Sequence, residues 1–348
     1  MRILLVTTMR NEGAFMLDWV AHHRALGVTD LLIFTNDCDD GTDLIAARLE
    51  ALGLARHILN PRGGEKPIQW QALAAASKHP DFAAADWVIA ADVDEYLVVH
   101  AGAGRLADLF AARPEATGFA VPWRLFGNDG VREISATPVP ERFTRAAPPV
   151  LLWPFRARCY KAIWRNDGVF RKIGVHRPQG VERDRYQPAT WVDGSGAPVP
   201  QDITKGMLPA LLTETDQYGL AQWNHYVLGS AEDFLLKAWR GKPNHENEAI
   251  ALDYWVANNL NSVVDESILP RRALSSDLRA ELFADAELNE LHQRALAWRK
   301  AKVAELLQQE AWLRLYCAVR SAGSTQVLPI EEQRALLRHH ARVVRRQK

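Results

Sequence analysis

The sequence predicts an α/β protein: a mostly parallel β-sheet flanked by helices and followed by a helical C-terminal extension. Three observations carry this. The N-terminal third alternates β-rich apolar runs with amphipathic stretches at helical spacing. Polar clusters fall at the C-terminal ends of the apolar runs, where parallel sheets bind ligands: Thr7 to Glu12, Asn36 to Thr42, Arg62 to Gln71 and Asp92 to Glu95. From about Ser230 onward the patterns are helical.

The elements follow in order. RILLVTT is a continuous apolar run, as expected of a strand buried on both faces. EGAFMLDWVAHHRALG places Phe15, Trp19, His22 or His23, and Leu26 at helical spacing, with Gly27 as the stop. TDLLIFTND reads as a second strand, GTDLIAARLEALG as a helix closed by Gly53, and ARHILN as a third strand. KPIQWQALAAASKH is Ala-rich and helical, and DWVIAADVD, through Asp94, reads as the fourth strand. FAVPWRLFGNDGVRE suggests a hairpin beside that strand, with Trp123 and Phe126 as an aromatic platform or as core. FRARCYKAIWRNDGVFRKIG reads as a strand pair with a cationic face, and ATWVDGSGAPVPQD as an exposed hairpin or loop. SAEDFLLKAWRG opens with Ser230 as N-cap and Asp233 three residues on.

Composition excludes several classes. The 348 residues hold 42 Lys+Arg and 42 Asp+Glu, so no net positive charge argues for nucleic acid. Cys38, Cys159 and Cys317 form neither a disulfide framework nor a zinc motif. The first residues read as a strand rather than a signal peptide, no run is long and apolar enough to span a membrane, and a cytoplasmic setting is expected. Neither GxGxxG nor a P-loop follows a strand.

Chemistry concentrates in WVIAADVDEYLVVH. Three carboxylates, Asp92, Asp94 and Glu95, crowd the end of an apolar strand and require positive charge or open water. On a strand Asp92 and Asp94 point to one side and offer oxygens suited to Mg²⁺ or Mn²⁺. Such an ion can bridge the phosphates of a nucleotide and stabilise a departing leaving group. The plain alternative is a solvated turn.

TTMRNEGAFMLDWVAHHRALGV, FTNDCDDGT and AADVDEYL, in this order, resemble the family 2-like glycosyltransferases of GT-A fold, in the branch with an NE opening and a DVDE[FY] motif. The match covers about the first 130 residues and echoes weakly to Gly241. It implies a Rossmann-like, mixed sheet, with residues 1–241 as the transferase domain. Within it, 1–130 would bind the nucleotide sugar and 131–241 would form the acceptor side, with 242–348 as a helical region. It implies that Thr7, Arg10, Asn11 and Glu12 line the nucleotide pocket, and that Asn36 and Asp40 lie near base and ribose. Asp40 or Thr42 equally suits a helix cap. Asp92 and Asp94 would hold Mn²⁺ or Mg²⁺, and through it the diphosphate; the resemblance gives Glu95 no duty. Generic members carry Asp-Asp where this chain has Thr35-Asn36, which leaves the ribose and base contacts open.

The resemblance also implies a late histidine on the metal. His225, followed by Gly229, Ser230 and Lys237, is favoured over His176, which sits beside Arg177; Lys237 or Arg240 would face a phosphate. The expected reaction moves a sugar from a nucleotide-diphosphate donor, a UDP-sugar first among them, to a glycan or lipid-linked acceptor in cell-surface polysaccharide synthesis. Inversion is the usual course and retention stays open. The general base is sought among Asp129, Asp193, Glu214 and Asp216, with no choice between them. The basic tail EEQRALLRHHARVVRRQK is a solvated helix or a peripheral contact with the inner face of a membrane. A nucleotidyltransferase of related sheet, or a non-catalytic glycan-binding scaffold, are the alternative readings.

Overall fold

Ile3–Met9 forms β1, and its alternation shows how the sheet is buried. Ile3 and Leu5 join one apolar cluster while Leu4 and Val6 join another, so the strand feeds cores on both faces. Each such side chain contributes about 1.5–3 kcal/mol by leaving water. The computed structural model describes residues 1–63, 66–199, 202–205, 209–211, 213–241 and 249–346.

The remaining strands of the main sheet are β2 Asp30–Thr35, β3 Arg56–Leu59, β4 Trp87–Ala90, β5 Glu95–Val99, β6 Gly118–Leu125, β7 Tyr160–Arg165, β8 Trp191–Asp193 and β9 Ala221–His225. The principal helices are α1 Gly13–Ala25, α2 Thr42–Ala51, α3 Ile68–Ala76, α4 Leu106–Ala112, α5 Ala231–Arg240, α6 Leu252–Asn258, α7 Ser276–Ala284, α8 Ala286–Leu306, α9 Glu310–Ser321 and α10 Ile330–Arg346. Among the described residues the main sheet has nine strands in the order β3-β2-β1-β4-β7-β6-β9-β5, with β8 added on β6. β1, β2, β3 and β4 are mutually parallel, as are β6, β8 and β9; β7 and β5 run against their neighbours. This is the mixed, mostly parallel sheet flanked by helices that the sequence predicts.

Local chemistry sets the boundaries. α1 ends where Gly27, at φ 110°, turns back and donates its N–H to the Arg24 carbonyl. Asp40 fastens the starts of two helices. One carboxylate oxygen accepts from the Thr42 N–H at 2.9 Å and the Thr42 hydroxyl at 2.6 Å, and the other accepts from the Gly13 N–H at 3.0 Å. α5 opens on a capping box in which the Ser230 hydroxyl accepts from the Asp233 N–H and the Asp233 carboxylate accepts from the Ser230 N–H.

The C-terminal helices wrap the sheet domain. α8 packs on α1, α2, α5 and α7. Asp285 at its start pairs with Arg48 of α2 at 2.6 Å. Arg299 in its middle donates to the Asn11 carbonyl at 3.2 Å and to Asp233 at 2.8 Å. On α10, the Gln333 side-chain oxygen accepts from the Leu152 N–H at 2.7 Å, and His340 stacks on Phe155.

Three expectations are corrected. The fourth strand ends at Ala90, so Asp92 and Asp94 lie in a turn and strand alternation does not align them. β6 does not pair with β4, because the antiparallel β7 lies between them. The stretch read as an exposed hairpin holds β8, whose Trp191 is buried against β6; its Pro200 and Gln201 lie outside the described residues.

Candidate active site

The C-terminal ends of β4, β6 and β9 lie on one edge of the sheet, and the antiparallel β7 and β5 begin there. The acidic turn sits on this edge. The Glu95 N–H donates to the Asp92 carbonyl at 3.0 Å, and Glu95 in turn accepts from the Asp92 N–H at 2.9 Å. The register of β9 on β5 sets His225 opposite Glu95, and the next N–H, of Tyr226, donates to the Asp94 carbonyl at 2.8 Å.

Two lysines answer the charge problem. Lys161, at the start of β7, is 1% exposed; its Nζ lies 3.0 Å from Asp92 Oδ2 and 3.2 Å from Glu95 Oε2. Lys237 of α5 donates to Asp94 Oδ2 at 2.7 Å and to the Val227 carbonyl at 2.7 Å. Burial works to lower the Lys161 ammonium, but Asp92 and Glu95 hold it above its ordinary value. Burial works to raise Asp94, but Lys237 and His225 hold it well below the usual carboxylate range. Glu95 goes the other way. Burial pushes it up to about 8 against the pull of Lys161, with Asp92 and Asp94 adding to the rise.

The lysines divide the acids. Asp92 Oδ1 accepts from Gln69 Nε2 at 2.8 Å and Oδ2 from Lys161, and with Thr7 these residues line a small cavity under the sheet edge. Asp94 faces a different and larger cleft, whose wall also holds Asn11, Glu12, Lys237 and Arg240. The expected trio of Asp92, Asp94 and His225 on one ion is therefore corrected. Among the described residues no three His, Cys, Asp or Glu side chains converge.

Asp94 and His225 alone fit a divalent ion. His225 Nε2 stands 3.7 Å from Asp94 Oδ1, a span that two metal–ligand bonds of roughly 2.1 Å can bridge. Burial lowers the His225 imidazole to about 4, so it is neutral and has a lone pair to offer at pH 7. Its buried Nδ1 has no hydrogen-bond partner. His176, the alternative ligand, donates from Nδ1 to the Tyr160 carbonyl at 3.1 Å, and burial lowers it to about 3. Trp123 packs on both histidines, with ring centroids 4.2 Å from His225 and 5.1 Å from His176. Trp123 and Phe126 are both buried, so the aromatic platform is corrected to core packing.

The other expected residues are placed as follows. Glu12 is ion-paired with Arg240, which also donates to the Arg10 carbonyl at 2.8 Å. Asn11, at φ 56°, clasps Asp39 through both ends of its amide. The Arg10 Nε donates to the Asp37 carbonyl at 3.2 Å, and Asn36 donates to the Asp37 carboxylate at 3.2 Å. The buried Thr7 hydroxyl has no partner. Asp40 is buried with both oxygens engaged in capping, which corrects its expected ribose contact.

The four candidate bases do not gather at the site, and none lines the cleft. Asp193 holds its own turn through Ser195 and accepts from Gln217 at 2.8 Å. Glu214 pairs with Arg334 of α10. Asp129 lies 3.5 Å from Arg145, and Asp216 accepts from the Tyr218 N–H at 2.9 Å. The acids that line the cleft are Glu12, Asp94 and Asp233.

Sequence reasoning missed Lys161, Gln69, Trp239, Trp298 and Arg299. Only Lys161 carried a signal: it stands among apolar and aromatic residues in CYKAIW, the surroundings of a buried cation rather than a solvated one.

No family model matches this sequence, and no curated protein does. Among solved structures, S. aureus TarS 1-349 matches with a TM-score of 0.32 and 13% identity over 89% of this chain and 92% of that one. TarS 1-349 in complex with UDP-GlcNAc matches at 0.30 and 15%, over 92% and 90%. Glucosyl-3-phosphoglycerate synthase from Mycobacterium tuberculosis, in complex with Mn²⁺, UDP and glucosyl-3-phosphoglycerate, matches at 0.23 and 21%, over 37% and 46%. In the first matches, to TarS 1-349 with UDP and to the synthase with phosphoglyceric acid, the chain spans less than half of the other, 47% and 44%.

Proposed function

We propose that this chain is a metal-dependent glycosyltransferase that moves a sugar from a nucleotide-diphosphate donor to an acceptor hydroxyl. One observation carries the reading: Asp94 and a neutral His225 face each other at 3.7 Å on the C-terminal edge of a mostly parallel sheet, with Lys237 on the far oxygen of Asp94. The ordered motifs TTMRNEG, FTNDCDDGT and AADVDE support it, since they resemble those of GT-A transferases.

Asp94 Oδ1 and His225 Nε2 would hold Mn²⁺ or Mg²⁺, which supplies charge to stabilise a departing diphosphate. Lys237, already held in the cleft wall, would turn part of its hydrogen bonding to a phosphate oxygen. Arg10, Asn11 and Asn36, on the loops after β1 and β2, would meet the nucleoside. Lys161 and Glu95 hold Asp92 and the turn in place, so Asp94 is presented at a fixed height. The acceptor hydroxyl would displace the nucleoside diphosphate with inversion, and a UDP-sugar is the donor we favour. Residues 1–130 would hold most of the donor, and the acceptor side would draw on 131–241 together with the helices packed beside it. Among the described residues no helix is long and apolar enough to cross a membrane, and the basic α10 would give a peripheral contact with an anionic surface.

Thermal shift tests this. UDP should raise the melting temperature of the wild type only when Mn²⁺ is present, and Asp94→Asn should abolish that rise. Melts without ligand control for folding. An equal UDP shift without metal, or one retained in Asp94→Asn, refutes the metal site; a shift with nucleoside triphosphates alone would point to nucleotidyl transfer.

A further inference from the structure

The cleft faced by Asp94 is bounded by α1, α5 and α8; its enclosed volume is about 60 Å³ and it opens to solvent. Its apolar wall includes three half-buried rings: Phe15 of α1, Trp239 of α5 and Trp298 of α8. The two indoles stand 6.1 Å apart at 56°, so they form a corner rather than a closed stack. Lys302, outside the lining, braces the Trp239 ring at 4.6 Å, and Arg299 sits 4.5 Å over Phe15.

The charges in the wall cancel in pairs. Lys237 is held by Asp94 at 2.7 Å, Arg299 by Asp233 at 2.8 Å, and Arg240 by Glu12. Every charged side chain that lines the cleft has its partner in the same lining. The Asp94–Lys237 end is where the metal and the diphosphate would sit; toward the Trp239 and Trp298 corner the neighbouring charges are the Arg299–Asp233 and Arg240–Glu12 pairs, so a charged acceptor would meet no free counter-charge there, which is costly in a partly desolvated site.

We propose that this cleft is the acceptor site and that it takes an uncharged sugar ring, stacked on the Trp239 and Trp298 corner with a hydroxyl toward Asp94. The proposal rests on the glycosyltransferase reading and adds the acceptor's chemistry. A pyranose has an apolar C–H face for an indole and a rim of hydroxyls for Glu12, Asp233 and Arg240 of the same lining. An alkyl chain would cover those polar groups without bonding them.

The test uses the full chain with UDP and Mn²⁺. Methyl glycosides of glucose, galactose, mannose and rhamnose, the matching methyl uronides, and hexanol are compared by NMR saturation transfer and titration. At least one neutral glycoside should bind, and its uronide should bind about ten-fold more weakly. Trp239→Ala and Trp298→Ala should each weaken the glycoside about ten-fold, while Trp239→Phe retains most binding. Unliganded melts exclude misfolding, and Trp239→Phe keeps the comparison meaningful if an alanine variant fails to fold. Uronides binding as well as neutral sugars, alanine variants binding like wild type, hexanol competing as well as any glycoside, or no glycoside binding at all would each overturn the proposal. Loss of the UDP–Mn²⁺ thermal shift is separate: it removes the transferase reading, and the glycoside titration repeated without nucleotide still decides what the cleft holds.

Discussion

Lys161 shows what one side chain does in the acidic turn. It is buried with its ammonium between Asp92 and Glu95, and Glu95 is itself fully buried. Lys161→Met strips both acids of their shared cation. Above about pH 8, where Glu95 is ionised, breaking a buried pair in this way costs about 3–5 kcal/mol, so urea denaturation of the variant should show its large loss there. Lys161→Met combined with Glu95→Leu should recover much of it, because an apolar pair leaves no buried charge to satisfy. A single variant as stable as the wild type would mean that the lysine is not paired as described. The need for positive charge was legible in Asp92, Asp94 and Glu95, but its source was not. Lys161 is 69 positions from Asp92 and arrives only because an antiparallel strand inserts between β4 and β6. The candidate bases failed for a related reason: Asp193 and Asp216 bond within their own turns, a use that residue type alone does not distinguish from catalysis.

At the scale of elements, α5 matters most because it carries both Lys237 and Trp239. Its start depends on Ser230, whose hydroxyl accepts from the Asp233 N–H at 3.0 Å and donates to the Asp233 carboxylate at 2.7 Å. Ser230→Ala should cost about 1 kcal/mol, up to about 2 in this buried setting. Chemical denaturation measures it, and Ser230→Thr should lose less. If alanine is neutral, Arg299, Arg142 and the backbone N–H at position 230 suffice to hold Asp233 and the hydroxyl adds nothing. This cap was legible because a capping box is local: two residues three apart, before an apolar run. The helices and strands of the first ninety residues were legible for the same reason, since periodicity reports which faces are buried. β8 was not legible. Three residues in a Pro- and Gly-rich stretch give no period; the hairpin turn was legible, but the parallel pairing of Trp191, Val192 and Asp193 with Gly118, Phe119 and Ala120 was not.

Across the whole molecule, buried titratable groups give stability an uneven pH dependence. Burial lowers His22 and His225 to about 4 and His176 to about 3, and holds His23 well below its ordinary value. As pH falls below about 6.5, the unfolded chain gains protons at these positions that the folded chain refuses, so stability falls toward pH 4. Glu95 acts in the opposite sense. Its folded value near 8 lies above the unfolded one, so its contribution is complete below about 4.5 and is lost as pH rises through 8. Four histidines outweigh one glutamate in the acid range, and Glu95 acts with little histidine opposition above it. Urea midpoints across pH should therefore peak at about pH 6.5 and fall on both sides. Glu95→Gln should flatten the alkaline limb, and His22→Phe should soften the acid limb. A flat profile from pH 5 to 8 would contradict the burial of these groups.

The cleft also has a history written in the order of the chain. A ribosome delivers Asp94 early and Trp298 very late, and Arg299, which clamps the Asn11 carbonyl, comes later still. An unfinished polypeptide can carry the acidic turn but not the far wall that faces it. The pocket is thus incomplete until α8 has followed the sheet, and that helix is a wall of the site rather than an appendage.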